Sequence, residues 1–191
     1  MAFCPTDFDT LRHRHMTARR RMTSVERASA SDTICRRLSL TRMFCRSRDI
    51  AAYLAMYDEV NLDSFIRAAW ASGKRIYVPR ILPGYEMQFT RLATDTQIVR
   101  NRFGIWEPEA GDIIEAHRLD WAIVPLVAFD RSAHRIGMGG GYYDRAFAFL
   151  RHKNRTLKPR LSGVAFACQE TAQITPNPWD IGLSRVYTET L

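Results

Sequence analysis

The sequence predicts an α/β fold: one domain, residues 1–191, with a central, mostly parallel sheet flanked by helices. Three observations carry this expectation. Short apolar runs alternate with helix-forming stretches, the pattern of strands joined by crossover helices. The 191 residues suffice for one hydrophobic core, and no repeat or low-complexity linker divides them. A knot of glycines at residues 137–141 stands between a strand and a helix, and loops of that kind are where such sheets bind ligands.

The elements follow in order. Asp9 to Met22 reads as a first helix, and Thr23-Ser-Val-Glu26 is a capping box opening a second that runs towards Phe44. Together they form a basic helical segment over about residues 7–46. Asp49 to Met56 reads as a buried strand. Asn61 or Asp63 can cap a helix through Trp70, closed by Gly73. Arg75 to Pro79 and Met87 to Leu92 alternate as strands. Residues 94–118 are mixed, with Phe103 to Pro108 expected as a loop. Leu119 to Pro125 is a strand, Phe129 to Arg135 a turn, and Tyr142 to Leu150 a helix. Leu161 to Ala167 and Arg185 to Thr188 complete the set.

Composition excludes several classes. Apolar residues make 46% and charged residues 25%, ordinary for a soluble globular protein. No apolar run is long enough to span a bilayer, and Met1 to Pro5, followed by Thr6 and Asp7, lacks the apolar core of a signal peptide. Cys4, Cys35, Cys45 and Cys168 have no metal-ligand spacing, and reduced thiols suit a cytoplasmic protein. His13 and His15 point to different sides of a helix and make a poor metal pair.

The net charge of +8 is uneven. Residues 1–48 hold eleven arginines against four acids, +7, whereas the remainder carries +1. Clustered arginines raise the question of nucleic acid. This segment lacks aromatic interleaving and any recognisable DNA- or RNA-binding pattern, so a solvated helix face is the commoner explanation. One or two arginines could instead meet a nucleotide's phosphates. Lysines are only Lys74, Lys153 and Lys158, a compositional habit.

Four of the ten glycines are Gly137, Gly139, Gly140 and Gly141. Without Cβ atoms, their N–H groups can approach a ligand closely, and the start of a helix adds orphan donors: a phosphate cradle. The spacing lacks the lysine of the common nucleotide loop and the ribose-reading acid of a dinucleotide fold. A flexible linker would be rich in serine and would not run into Tyr142-Tyr-Asp-Arg145. Glu59, just beyond a buried strand, can face the same cleft or be a solvated loop acid. Asp144 can offer a hard oxygen to Mg²⁺ or merely complement the helix dipole. Tyr142, Tyr143, Trp106 and Phe89 can stack on a planar ring or pack in the core. No nucleophile stands with a base, so the residues suggest Mg-nucleotide chemistry by positioning and charge stabilisation.

Gly137-Met-Gly-Gly-Gly-Tyr-Tyr-Asp-Arg145, preceded by Val124-Pro125, Phe129-Asp130 and Arg135, resembles the 5-formyltetrahydrofolate cyclo-ligases, also called 5,10-methenyltetrahydrofolate synthetases. The likeness covers nearly the whole chain. It includes Leu11-Arg12, Arg19-Arg20-Arg21, Tyr53 to Glu59, Tyr77-Val-Pro79, Met87-Gln-Phe89, Gly104 to Pro108, Gln169, Trp179-Asp180 and Val186 to Thr188. It implies ring closure of 5-formyltetrahydrofolate, with or without a polyglutamate tail, using ATP and Mg²⁺. ATP phosphorylates the formyl oxygen, N10 attacks the activated carbon, and phosphate leaves.

The resemblance also implies residue roles. Arg12, Arg135, Ile136, Gly137, Met138, Gly139, Gly140, Gly141, Tyr142 and Tyr143 would bind ATP, and Leu54, Glu59, Trp106 and Tyr142 the folate. Arg135, Gly139, Gly140, Gly141 and Tyr142 would enclose the reacting groups, with Asp144 and Asp180 holding Mg²⁺. Three departures stand out. Phe8 takes a position that is basic in many members, Ser184 one that is often acidic, and the turn Asp130–Arg135 lacks the usual glycine. The competing reading is a folate-ligase-like domain without catalysis that binds RNA through its basic N-terminus. A monomer is the simplest assembly.

Overall fold

The helix signals at the start of the chain are local and act locally. In the computed structural model, which describes residues 7–56, 58–151 and 158–190, Asp7 caps helix α1 (Phe8–Arg21). Its carboxylate accepts from Asp9 N at 3.1 Å and Thr10 N at 3.2 Å. The capping box opens α2 (Ser24–Ser39): Glu26 N donates to Thr23 Oγ1 at 3.2 Å, and Thr23 N donates to Glu26 Oε2 at 2.7 Å. The expected run towards Phe44 is interrupted. Thr41 turns extended and its hydroxyl accepts from Phe44 N at 3.0 Å, starting a separate α3 (Arg42–Arg46). A threonine that satisfies a helix N–H competes with helix continuation, and here it wins. Met1 to Pro5, with Cys4, and Tyr57 and Lys153 lie outside the described residues.

The sheet is mixed but mostly parallel, as predicted. Its central strands are β1 (Asp49–Ala51), β2 (Arg75–Ile81) and β3 (Met87–Leu92). A small hairpin of β4 (Ile98–Arg100) and β5 (Trp106–Pro108) follows, then β6 (Ile113–Ile114) and β7 (Trp121–Pro125). A second hairpin pairs β8 (Ala128–Phe129) with β9 (Arg135–Ile136), before β10 (Arg160–Val164) and β11 (Arg185–Tyr187). The order is β11-β10-β7-β1-β2-β3-β6; neighbours from β11 to β2 run parallel, and β3 and β6 add antiparallel pairs.

Two expectations are corrected. Residues 103–108 are not all loop, because Trp106–Pro108 pairs with Ile98–Arg100. The strand from Asp49 stops pairing as a named strand after Ala51, and the chain folds back, Tyr53 donating its hydroxyl to Val60 O at 2.8 Å.

Alternation along the strands builds two apolar faces. Ile50, Ile76, Val78, Trp121 and Ile123 meet Ile34 and Leu38 of α2 and Phe65 and Ile66 of α4 (Asp63–Ala71). Phe65 stands edge-on to Trp121, ring centroids 5.8 Å apart. Ala51, Tyr77, Ala122 and Leu161 face the other way, under Phe147 and Phe149 that follow α5 (Tyr142–Ala146). The predicted helix to Leu150 therefore divides: α5 ends at Ala146 and a 3₁₀ turn covers Ala148–Arg151. Asn61 Oδ1 accepts from Asp63 N at 2.7 Å at the mouth of α4. In the turn between β8 and β9 that lacks glycine, Ala133 adopts φ +63°, a conformation that costs roughly 1–2 kcal/mol. Buried Asp130 anchors that turn by accepting from Ser132, His134 and Ile174 backbone N–H groups.

The strands from β11 to β2 send their C-terminal ends to one edge, where α1 lies across β8 and the 3₁₀ turn Ala167–Gln169. No helix among the described residues is long and apolar enough to cross a membrane. Cys35, Cys45 and Cys168 are free thiols.

Gly163 sets how closely the C-terminal segment packs on β10. A Cβ there would stand 2.4 Å from Leu126 Cδ2 and 2.8 Å from Leu183 Cδ1. Gly163→Ala is expected to cost about 1–3 kcal/mol by overpacking, measured by urea unfolding. A variant as stable as the parent would show that both leucines move aside freely.

Candidate active site

The glycine segment leaves β9 and enters α5 at the C-terminal edge of the sheet. Gly139 and Gly141 have φ of +93° and +63°, the region where glycine alone is unstrained. A Cβ on Gly140 would lie 2.9 Å from the Tyr142 ring, so this position is tight as well. Two guanidinium groups hold the loop by its carbonyls. Arg12 Nε donates to Gly137 O at 2.9 Å, and Arg145 Nη2 donates to Gly140 O at 2.5 Å. Arg12 also pairs with Asp9, Nη1 to Oδ1 2.5 Å. Phe8, which stands where many members of the resembled family have a basic residue, packs instead beside Ala128, Ile136 and Ile174.

Sequence reasoning missed Arg145 and Tyr85. The Arg145 guanidinium lies over both the Tyr142 ring, at 5.3 Å, and the Tyr85 ring, at 5.4 Å. The two rings are 6.2 Å apart. Tyr85 is exposed and comes from the turn before β3, so only the fold brings it to the glycines. The signal in the sequence for Arg145 was its place at the end of the glycine-tyrosine run.

Below the loop, Arg135 and Asp144 form a buried junction. Arg135 Nη2 donates to Asp144 Oδ1 at 2.6 Å, and Arg135 Nη1 donates to the carbonyl of Ile181. Ile181 N returns a 3.0 Å bond to Asp144 Oδ1. Asp180, the neighbouring residue, accepts from Asn177 N at 2.8 Å through Oδ2. Each carboxylate thus has one oxygen, Asp144 Oδ2 or Asp180 Oδ1, outside these bonds. A carboxylate oxygen of this kind is a hard ligand of the type Mg²⁺ takes once or twice, completing its shell with phosphates and water. Among the described residues no group of three or more carboxylate, histidine or cysteine side chains could cage a metal alone.

Glu59 meets this assembly from the loop after β1. Its Oε2 accepts from Met56 N at 3.0 Å. Burial pushes its carboxyl above the ordinary glutamate range and Asp58 pushes the same way, while the Met56 N–H and Arg19 oppose them. The phenol of Tyr143 is raised first by burial and then by the Glu59 charge, and Arg135 counters both. Glu59, Tyr143 and Arg135 therefore share one electrostatic neighbourhood, as expected of a single cleft. Tyr143 also stacks on Phe147 in the lower core.

The other candidates divide. Leu54 is half-buried against the core beside α2 and α4. Ile136 is buried and its carbonyl accepts from Val127 N, so its side chain belongs to packing. Met138 is exposed at the loop tip. Trp106 sits on β5 with the Arg100 guanidinium 4.7 Å from its ring, and Phe89 is a core residue on Phe147. Ser184 closes onto the sheet edge, its hydroxyl donating to Leu161 O.

The raised Glu59 carboxyl has a stability consequence. A carboxyl that is harder to ionise when folded costs nothing below its unfolded value near 4.5 and destabilises as pH rises through its folded value. Glu59→Gln is therefore expected to raise Tm at neutral pH, with the gain vanishing below about pH 4.5. Thermal melts across pH 4–8 check this; a gain independent of pH would remove the ionisation account.

Known proteins resemble this chain over most of its length. The 5-formyltetrahydrofolate cyclo-ligase of Haemophilus influenzae is 33% identical over 142 residues, 72% of this chain and 74% of that protein. Its Escherichia coli K12 counterpart is 35% identical over 143 residues, covering 73% and 76%. The solved Aquifex aeolicus 5,10-methenyltetrahydrofolate synthetase superposes with a TM-score of 0.82 at 27% identity, over 96% of this chain and 90% of that one. A model of the 5-formyltetrahydrofolate cyclo-ligase family matches residues 6–189, and the chain belongs to that family.

Proposed function

We propose that this protein is a 5-formyltetrahydrofolate cyclo-ligase, converting 5-formyltetrahydrofolate to 5,10-methenyltetrahydrofolate with ATP cleaved to ADP and phosphate. One observation carries the reading beyond family membership: the Gly137–Gly141 loop is held between Arg12 and Arg145, and the half-buried acid Glu59 acts electrostatically on Tyr143 at the start of the helix that the loop enters. That arrangement pairs a site for phosphates with a group that accepts from the amino edge of a pterin. Free cysteines suit a cytoplasmic setting for this chemistry.

The chain's residues divide the work. Arg12 and the glycine loop bind the nucleotide, with Ile136 and Met138 flanking it. Arg135, anchored to Asp144 and Ile181, offsets the charge that develops as the γ-phosphoryl group passes to the formyl oxygen. N10 then bonds to the formyl carbon, the carbon–oxygen bond breaks with phosphate leaving, and N10 loses its proton. Leu54, Glu59, Tyr142 and, from the outer hairpin, Trp106 form the folate side. Asp144 and Asp180 would hold Mg²⁺, which supplies charge neutralisation to the ATP phosphates when bound.

Purified protein mixed with Mg-ATP and 5-formyltetrahydrofolate is expected to form the methenyl product, followed by its near-ultraviolet absorbance, with ADP and phosphate in equal amounts. Folded protein that makes no product over many enzyme equivalents, yet retains RNA, would favour the non-catalytic binding module.

Arg12→Ala is expected to raise the ATP KM about tenfold to a hundredfold, the loss of one charge-assisted bond worth roughly 1.5–3 kcal/mol. The folate KM should change far less. Unaltered ATP dependence would leave Arg12 its structural bonds to Gly137 and Asp9 alone.

A further inference from the structure

The inner face of α1 is polar where packing would favour apolar side chains. Phe8 and Leu11 pack inward at its start, but His15 and Arg19, one turn apart, are the buried residues further on. Only 5% of the Arg19 side chain is exposed, and its Nη2 donates to Asp58 Oδ1 at 3.0 Å. Arg20 approaches the other oxygen, Oδ2, at 3.5 Å. His15 Nδ1 donates to Cys168 O at 3.2 Å, while His15 Nε2 and Arg19 Nε have no hydrogen-bond partner among the described residues.

A buried ion pair with an unsatisfied donor is a poor source of stability, since apolar side chains of similar volume commonly do as well or better. Its location gives it another use. Asp58 is the residue before Glu59, in the loop that returns from β1 to Val60 and is closed by Glu59 N donating to Met56 O at 2.9 Å. Arg19 is the link from α1 to that loop.

We propose that Arg19 and Asp58 are positioning residues of the folate pocket: the pair of an enclosed Arg19 and a half-buried Asp58 clamps residues 58–60 to α1 and so sets where the Glu59 carboxylate stands. The proposal rests on the reading of Glu59 as the folate acid. The charged and titratable groups around Glu59 are Arg19 from α1, Asp58 from its own loop, Tyr53 from the β1 extension and Tyr143 from α5. Arg19 favours the carboxylate and Asp58 disfavours it, so removing each charge moves Glu59 in opposite directions. Those shifts read the charge coupling, and a change in the folate KM with the ATP KM unmoved reads the positioning.

The test uses Arg19→Met, Asp58→Asn and the charge-keeping Arg19→Lys in the full chain. Arg19→Met is expected to raise the folate KM about tenfold, with the ATP KM little changed. Its acid limb of kcat/KM for folate should move up; in Asp58→Asn the limb should move down, and in Arg19→Lys it should stay close to the parent. Should Arg19→Met fail to fold, a raised folate KM with an unchanged ATP KM in Asp58→Asn still decides the matter. Carbon-13 titration of the Glu59 carboxyl, assigned with Glu59→Gln, reads the same coupling without substrate. Opposed carboxyl shifts in a protein that does not turn over folate would overturn the folate reading and keep the clamp. A parent-like folate KM and unmoved Glu59 titration in both neutralised variants would overturn the clamp.

Discussion

Arg135 and Asp144 are nine residues apart in sequence, yet the peptide they share is at Ile181, almost at the other end of the chain. Arg135 leaves β9, Asp144 stands in the first turn of α5, and both bind opposite faces of one backbone unit. The strand ending, the glycine loop and the C-terminal segment are thereby locked in one geometry. A guanidinium so well enclosed is tolerable only because a carboxylate and a carbonyl meet it. Remove Asp144 and the enclosed Arg135 guanidinium loses its charge partner; remove Arg135 and the half-buried Asp144 keeps only the Ile181 N–H. The positions of Tyr142, Tyr143 and Gly141 all depend on that junction, because each is covalently within three residues of Asp144.

Part of the N-terminal charge excess finds its use inside the molecule. Arg12 binds Gly137 O, Arg19 binds Asp58, Arg27 donates to Met22 O, and Arg37 donates to Thr188 O. Four of the eleven arginines that composition presents as a basic tail are thus internal struts, while Arg14, Arg20, Arg21, Arg36, Arg42, Arg46 and Arg48 stay exposed as a solvated face. α1 is accordingly less an appendage than a crosspiece over the ends of the strands. Its two inward arginines, Arg12 and Arg19, are seven residues and so about two turns apart.

Features resting on neighbouring residues were legible in the sequence. The Thr23–Glu26 capping box, the strand Met87–Leu92 and the glycine cradle with its tyrosines need no distant partner to be recognised. The alternating faces of β1, β2 and β7 were legible as buried runs, although not which helices cover them. What escaped depends on contacts across long stretches of chain. Tyr85 meets Arg145 over sixty positions, Arg19 meets Asp58 over thirty-nine, and β4 finds β5 only through its hairpin. The break at Thr41 was missed for a different reason: one hydroxyl decided between two locally acceptable paths. Asp144 was open between dipole partner and metal ligand, and its bonds to Arg135 and Ile181 add a third, structural part that no spacing announces.

The dependence on Ile181 has a consequence for how the protein is made. Synthesis runs from the N-terminus, so α1, the first acid loop and the glycine segment all leave the ribosome before the peptide that completes their junction. With the last few dozen residues still in the exit tunnel, Arg135 and Asp144 can find each other but not their shared backbone partner, and β10 lacks the neighbour supplied by β11. Domains of this size fold largely as units, and here the unit closes only once Ile181 and β11 are free to pair. Until then the glycine segment has no backbone anchor beneath it, however well its own turn residues favour the final shape.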